Sequence, residues 1–239
     1  EGNLNGVNAG DRDSYSAQYT STGTRQWVRQ FGRSGLDTAA DVGTDSQGNY
    51  YVTGINLVSG TVPNPNGYLA KFSSDGTEFW RQSINTTVPL FGSITLNAAD
   101  AVSGLAIDAA NNIYITGFVK GVPDVGTGFT RPSKTFVAKY NSNGAQQWFT
   151  ELDLPRSSGG ADIALDSQGN VYLTGMANGT LTSDSSNPFA DGDIFVAKLS
   201  TDGAQLWNQS IVAPGKNYAR GLALDSAGHV YITGETTGA

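Results

Sequence analysis

The chain has 239 residues, 14 basic and 21 acidic side chains, a net charge of −7, a single His and no Cys. That inventory argues against a duplex nucleic-acid binder and excludes disulfides, thiolate metal sites, Cys nucleophiles and His-rich zinc sites. Charged residues make up only 15%, with Gly (31) and uncharged polar residues in their place, and no apolar run reaches the ~18 residues of a membrane span, so a turn-rich, mostly β domain without membrane insertion is expected.

In chain order, residues 14–27 (SYSAQYTSTGTRQW) read as two short strands around a turn, closing on Trp27. A run of small and aliphatic residues then ends at Asp45 and enters DSQGNYYVTG (45–54), a tight turn before a β-branched and aromatic strand. The first motif returns as GYLAKFSSDGTEFW (67–80), and the second as DAANNIYITG (108–117). TFVAKYNSNGAQQW (135–148), DSQGNVYLTG (166–175), DIFVAKLSTDGAQLW (193–207) and DSAGHVYITG (225–234) complete the alternation. All four Trp (Trp27, Trp80, Trp148 and Trp207) occupy one equivalent position.

Internal repetition at this period marks a repeat architecture. Each unit is predicted as four short strands, A to D. Strand A ends on the repeated Asp, and strand B carries the repeated Tyr. Strand C follows a variable polar loop, and strand D carries the Trp after an Asp-Gly or Asn-Gly hairpin turn. Strands B and C are apolar on both faces, so each sheet needs a cover on each side, and the neighbouring copies are the natural covers. Small residues at Gly43, Ala106, Ala164 and Ala223 suit an innermost strand where adjacent units crowd an axis.

The D-S-x-G-N-x-Y-x-T-G turn and strand, the F-V-A-K strand and the D-G-x-x-x-W hairpin resemble the bacterial SBBP β-propeller repeat family, over residues 13–234. The resemblance implies a bacterial or archaeal extracellular or cell-surface setting and a non-catalytic scaffold, with no catalytic residues to carry over. Two features depart from it. Gln18 stands where the repeats have Lys71, Lys139 and Lys198, and the copy number differs from the seven blades the family name implies.

The expected fold is therefore all-β: a single domain over 1–239 forming a four-bladed β-propeller of four-stranded antiparallel blades. Whole blades are expected over 38–84, 100–151 and 160–211, with one blade split between halves 13–31 and 218–235. The sequence opens at Glu1 without Met or a signal-like stretch, which reads as a removed leader or a piece of something larger. An open half-blade would present unpaired backbone along an apolar sheet. The first hairpin is thus expected to pair with the last, within one chain or between subunits, giving a homo-oligomer or filament. Flanking repeats of a longer, adhesin-like array would serve equally.

No catalytic or cofactor-binding residue is expected, and no enzyme, because no base–nucleophile pair is recognisable. His229 replaces the turn residues Asn49, Asn112 and Asn170 and has no nucleophile partner. The repeated Asp45, Asp108, Asp166 and Asp225 read as acceptors for turn amides. Weak calcium candidates are Asp41 with Asp162, which oppose each other across a four-bladed ring, and Asp191 with Asp193 in a loop. The recurrent Lys71, Lys139 and Lys198 are expected to pack their stems on an aromatic and expose their heads. Asn85, Asn178 and Asn208 lie in N-glycosylation sequons. The competing function is a glycan- or surface-ligand-binding module built on the loops between strands B and C. Phe91, Phe129, Phe189 and Tyr218 are the aromatics outside the repeat pattern.

Overall fold

The computed structural model describes residues 10–57, 65–84, 87–89, 95–97, 100–119, 132–154, 157–181, 189–190, 192–212, 215 and 217–237. Every regular element among them is a strand. They are β1 (Ser14–Tyr19), β2 (Arg25–Phe31), β3 (Leu36–Thr44), β4 (Tyr50–Leu57), β5 (Pro65–Phe72), β6 (Glu78–Ile84), β7 (Thr87–Pro89), β8 (Thr95–Asn97), β9 (Asp100–Ile107) and β10 (Ile113–Val119). They continue as β11 (Lys134–Tyr140), β12 (Gln146–Glu151), β13 (Ser157–Leu165), β14 (Val171–Leu181), β15 (Phe189–Ala190), β16 (Asp193–Leu199), β17 (Gln205–Ile211), β18 (Asn217–Leu224) and β19 (Val230–Thr236).

Three antiparallel sheets run A–B–C–D in chain order: β3-β4-β5-β6, β9-β10-β11-β12 and β13-β14-β16-β17, called blades 1, 2 and 3 here. Strand A of each following unit lies across strands A, B and C of the one before: β9 on β3, β4 and β5, then β13 on β9, β10 and β11, then β18 on β13, β14 and β16. This face-to-face stacking accounts for the two-sided apolar strands. In blade 1, Tyr50 and Val52 point to one layer, which Trp27 and Phe31 of β2 close. Tyr51 and Leu69 point to the other, filled by Leu105, Ile113, Ile115 and Phe136 of blade 2. Blade 2 repeats the device, its Tyr114 and Val137 meeting Leu173, Phe195 and Leu199 of blade 3.

Strand A bears a β-bulge at one equivalent place in all four copies: between Ala39 and Asp41, opposite Thr116/Gly117, between Gly160 and Asp162, and between Ala219 and Gly221. A bulge adds local twist and re-aims the next residue, which is Asp41 or Asp162 in two copies and Gly104 or Gly221 in the others. The small residues of strand A are needed for close approach. A Cβ on Gly43 would stand 2.4 Å from Leu105 Cδ2 of the next blade.

Three features depart from the sequence expectation. A short hairpin, β7–β8, sits between blades 1 and 2. Strand B of blade 3 runs on to Leu181 and pairs there with β15, inside what reads as a loop. The first and last hairpins are not joined in one sheet within the chain, since β1–β2 and β18–β19 are separate two-stranded sheets. The first is held against blade 1 instead. Phe31 packs on Phe72 at 4.9 Å between ring centroids, Trp27 stacks on Tyr50 at 5.7 Å, and Ser16 and Tyr50 share a 2.8 Å hydrogen bond. The link to β3 is short and pinned, with the Asp37 amide donating to the Arg12 carbonyl at 2.7 Å.

Candidate functional site

Local chemistry of the repeat accounts for most of the side chains that the sequence singles out. In the first A–B turn, Asp45 Oδ1 accepts from the amides of Gln47 and Asn49, and Oδ2 accepts from Asn49 Nδ2 and the Tyr51 hydroxyl. Asp108 and Asp225 form the same network, and Asp166 shares its amide and Asn170 contacts. Burial alone would raise the Asp45 carboxyl. The side-chain and backbone donors of Asn49, the Gln47 amide and the nearby Lys71 outweigh it and hold it below the usual range. The residue closing this turn needs positive φ. Gly48, Gly169 and Gly228 supply it, and Asn111 takes the same position at φ 63 in blade 2.

The recurrent lysines differ from their sequence expectation. Lys71 is buried, with its ammonium 5.1 Å over the Tyr51 ring, 3.5 Å from Asp45 Oδ2 and 3.3 Å from the Ser142 carbonyl of the next blade. Its head is tied into the blade interface rather than exposed, because the following C–D turn closes over it. Lys139 and Lys198 sit similarly over Tyr114 and Tyr172, and Lys198 lies 3.6 Å from Asp166.

The same turn locks the Trp. Trp27 Nε1 donates to the Ser74 carbonyl at 2.9 Å, Trp80 Nε1 to Ser142 at 3.3 Å, and Trp148 Nε1 to Thr201 at 3.3 Å. In each case the acceptor is the second residue of the C–D turn one unit further on. Trp207 has no such turn in front of it among the described residues and is 37% exposed.

Asp41 and Asp162 each accept two backbone amides. Asp41 accepts the Val42 amide at 2.7 Å and the Leu105 amide of blade 2 at 2.8 Å. Asp162 accepts the Ile163 amide at 2.8 Å and the Leu222 amide of β18 at 2.6 Å. Each carboxylate thus stitches its strand A to the next. Burial pushes Asp41 up, the Leu105 and Val42 amides oppose, and the Asp162 charge adds to the rise. Among the described residues no three His, Cys, Asp or Glu side chains gather as a metal site. Asp193 opens β16 and is half-buried, while Asp191 lies outside the described residues.

Asn208 is half-buried within β17, opposite Ala197. Asn85 lies outside the described residues, as does the side chain of Asn178 in β14. Phe91 and Phe129 and most of the B–C loops fall outside them too, as does the side chain of Phe189, while Tyr218 in β18 lies under the Arg220 guanidinium at 5.5 Å. His229 Nδ1 lies 2.7 Å from Asp225 Oδ2, where the other turns place an Asn amide.

What remains unabsorbed is at the two terminal hairpins. In every complete blade, strand B is paired on both edges. Among the described residues, strand β19, the fourth strand B, forms a two-stranded sheet with β18, and β1, the fourth strand C, forms one with β2. Beside β1 lies a cleft of about 620 Å³ whose walls include Ser16, Gln18, Asp41, Val42, Tyr50 and Val52. Tyr15, Tyr19, Val42 and Tyr231 are exposed large hydrophobics of these regions.

The architecture is all-β, with propeller-like four-stranded antiparallel repeats. The SBBP "Beta-propeller repeat" pattern matches residues 26–54 and 147–181. It is 26% identical over 201 residues to the uncharacterized WD repeat-containing protein L264 of Acanthamoeba polyphaga mimivirus, a match spanning 71% of this chain and 14% of that protein. Among solved structures, a Synechocystis apocarotenoid oxygenase mutant superposes with TM-score 0.44 at 9% identity, covering 93% of this chain and 50% of that one. A structure provisionally assigned as a gluconolactonase gives TM-score 0.42 at 15% identity, covering 89% and 63%. Both bear enzyme names, but likeness at this level transfers no activity.

Proposed function

We propose that this chain is a non-catalytic structural module, working outside the cell or at its surface, that assembles by complementing its half-blades. The hairpin β1–β2 supplies strands C and D, and the hairpin β18–β19 supplies strands A and B. Their union, within one chain or between two, makes the fourth blade of a four-bladed propeller. The observation supporting this reading is that β1–β2 carries the C–D motifs and β18–β19 the A–B motifs of the repeat, each in a separate two-stranded sheet among the described residues, with Tyr15, Tyr19 and Tyr231 exposed. In the three whole blades the apolar strands B and C are paired on both edges, which protects them from non-specific pairing.

Light scattering behind size-exclusion chromatography over a hundredfold concentration range, with electron microscopy of the same samples, tests the reading. The expected result is either one closed particle resistant to aggregation or a concentration-dependent series of oligomers. A monomer whose terminal hairpins exchange their amide protons as fast as an unfolded chain would refute it.

A further inference from the structure

Resting on that reading, we infer that the cleft beside β1 is the seat of the β18–β19 hairpin from a second copy of this chain, in a register the internal blades dictate. In the three complete blades, the B–C pairs are Val52↔Ala70, Ile115↔Ala138 and Leu173↔Ala197, flanked by Thr53↔Leu69, Thr116↔Val137 and Thr174↔Val196. Carried to the terminal hairpins, these place Ile232 opposite Ala17 and Thr233 opposite Ser16. Tyr231 then falls opposite Gln18, the position from which a lysine reaches Asp45 and Asp166 in blades 1 and 3.

Two contacts off the ladder agree with this seat. Leu105 packs on Gly43 of the preceding strand A. Val42 is the equivalent of Leu105, is 60% exposed, and would meet Ala223 of the incoming β18. The Trp lock extends in the same way. The turn after β1 has the same closure as the others, with the Gly23 amide donating to the Thr20 carbonyl at 3.0 Å. Its second residue is Ser21, so the Ser21 carbonyl of the receiving chain is the acceptor for Trp207 Nε1 of the second copy. The occupant is a second copy because, among the described residues of one chain, β18–β19 forms a sheet separate from β1–β2 and does not reach the cleft. The β1–β2 hairpin is also held to blade 1 by Trp27, Phe31 and Asp37, and the chain's own β18–β19 hairpin lies instead on blade 3. The recognition is backbone ladder plus apolar side chains, which is strand addition to a sheet edge.

The absence of Cys makes the register directly testable by disulfide trapping in the full chain. Chains carrying only Ala17→Cys are mixed with chains carrying only Ile232→Cys and oxidised. The pair Ser16→Cys with Thr233→Cys covers the alternate ladder position, since facing residues alternate between ~5.5 and ~4.5 Å Cα separation. The one-residue slip Ala17→Cys with Thr233→Cys places the thiols on opposite faces and is the control. The expected result is a disulfide-linked dimer from at least one in-register mixture, at tenfold or greater yield over the slipped control and over either chain alone. A chain carrying both in-register cysteines that closes an internal disulfide while staying monomeric would overturn the second-copy inference and leave half-blade complementation standing. No disulfide in either format at millimolar chain would overturn both.

Discussion

Strand β10 (Ile113–Val119) and strand β19 (Val230–Thr236) begin with nearly the same five residues, IYITG and VYITG, yet they live in opposite environments. Tyr114 is 1% exposed and Tyr231 is 59% exposed. Both pair with a strand A across the same bulge, and both follow a turn organised by an Asp that accepts their Tyr hydroxyl. The difference is what stands beside them: strand C and the next C–D turn for β10, neither for β19. Burial in this fold is a property of the neighbour rather than of the local segment, and a strand with two apolar faces is a demand for two neighbours.

The comparison predicts its largest effect on truncation. Tyr114→Ala removes a buried ring that packs edge-on to Trp148 and carries the Lys139 ammonium. It should cost about 3–5 kcal/mol, the scale of other buried aromatic deletions. Tyr231→Ala in the dispersed chain should stay within about 0.5 kcal/mol. Chemical denaturation at low protein concentration measures both. If β19 is paired in the assembled state, the Tyr231→Ala cost should rise at concentrations where assembly occurs, and equal costs for the two variants in the dispersed chain would break the comparison.

A middle-sized effect is expected where strand A crosses from one blade to the next. Asp41 satisfies two amides, one on its own strand and one on blade 2, and Asn offers a single side-chain acceptor for the pair. Asp41→Asn should therefore cost about 1–3 kcal/mol through the amide left without a partner. The pH dependence follows from the raised carboxyl. The folded state holds its proton more tightly than the unfolded chain, so this group's contribution falls as pH rises from the unfolded value through the folded one. The penalty of Asp41→Asn should accordingly grow as pH is lowered through the carboxylate range. A penalty that shrinks in acid would remove burial as the dominant influence on Asp41.

The contrast between repeated and unrepeated features also explains what could be read from the residues alone. The amide-accepting Asp and the positive-φ residue of each A–B turn, a glycine in three turns and Asn111 in the other, are local and set by spacings of a few residues. The bulge after Ala39 and its equivalents left no local mark, because an extra residue in strand A shows only against its partner. For the same reason the residues alone do not show that Asp41 and Asp162 each meet an amide some 60 residues onward, on the following strand A. The buried Lys71 head was misread because the turn that closes over it belongs to the next unit. The proposed union of the terminal hairpins would likewise be a relation between distant segments, or between molecules.

The smallest expected effect lies in the turn before β19, and it separates the split unit from the whole ones by charge. In blades 1 and 3 a strand-C lysine stands near the turn carboxylate, whereas the split unit has Gln18 at that position and His229 beside Asp225. The His229 side chain, its amide and the Ala227 amide hold the Asp225 carboxyl down to about 2. A depressed folded value means that this turn is fully supported above the ordinary carboxylate range and loses support as pH falls toward 2. His229→Asn installs the residue of the other three turns, whose amide reaches the same oxygen, so stability at neutral pH should change by no more than about 0.5 kcal/mol. The carboxyl titration of Asp225, followed by carbon NMR, should move upward, because the largest influence lowering it has been exchanged for a neutral donor. An unchanged titration would mean that the turn amides alone set this carboxylate, and that the imidazole contributes no more than the asparagine it replaces.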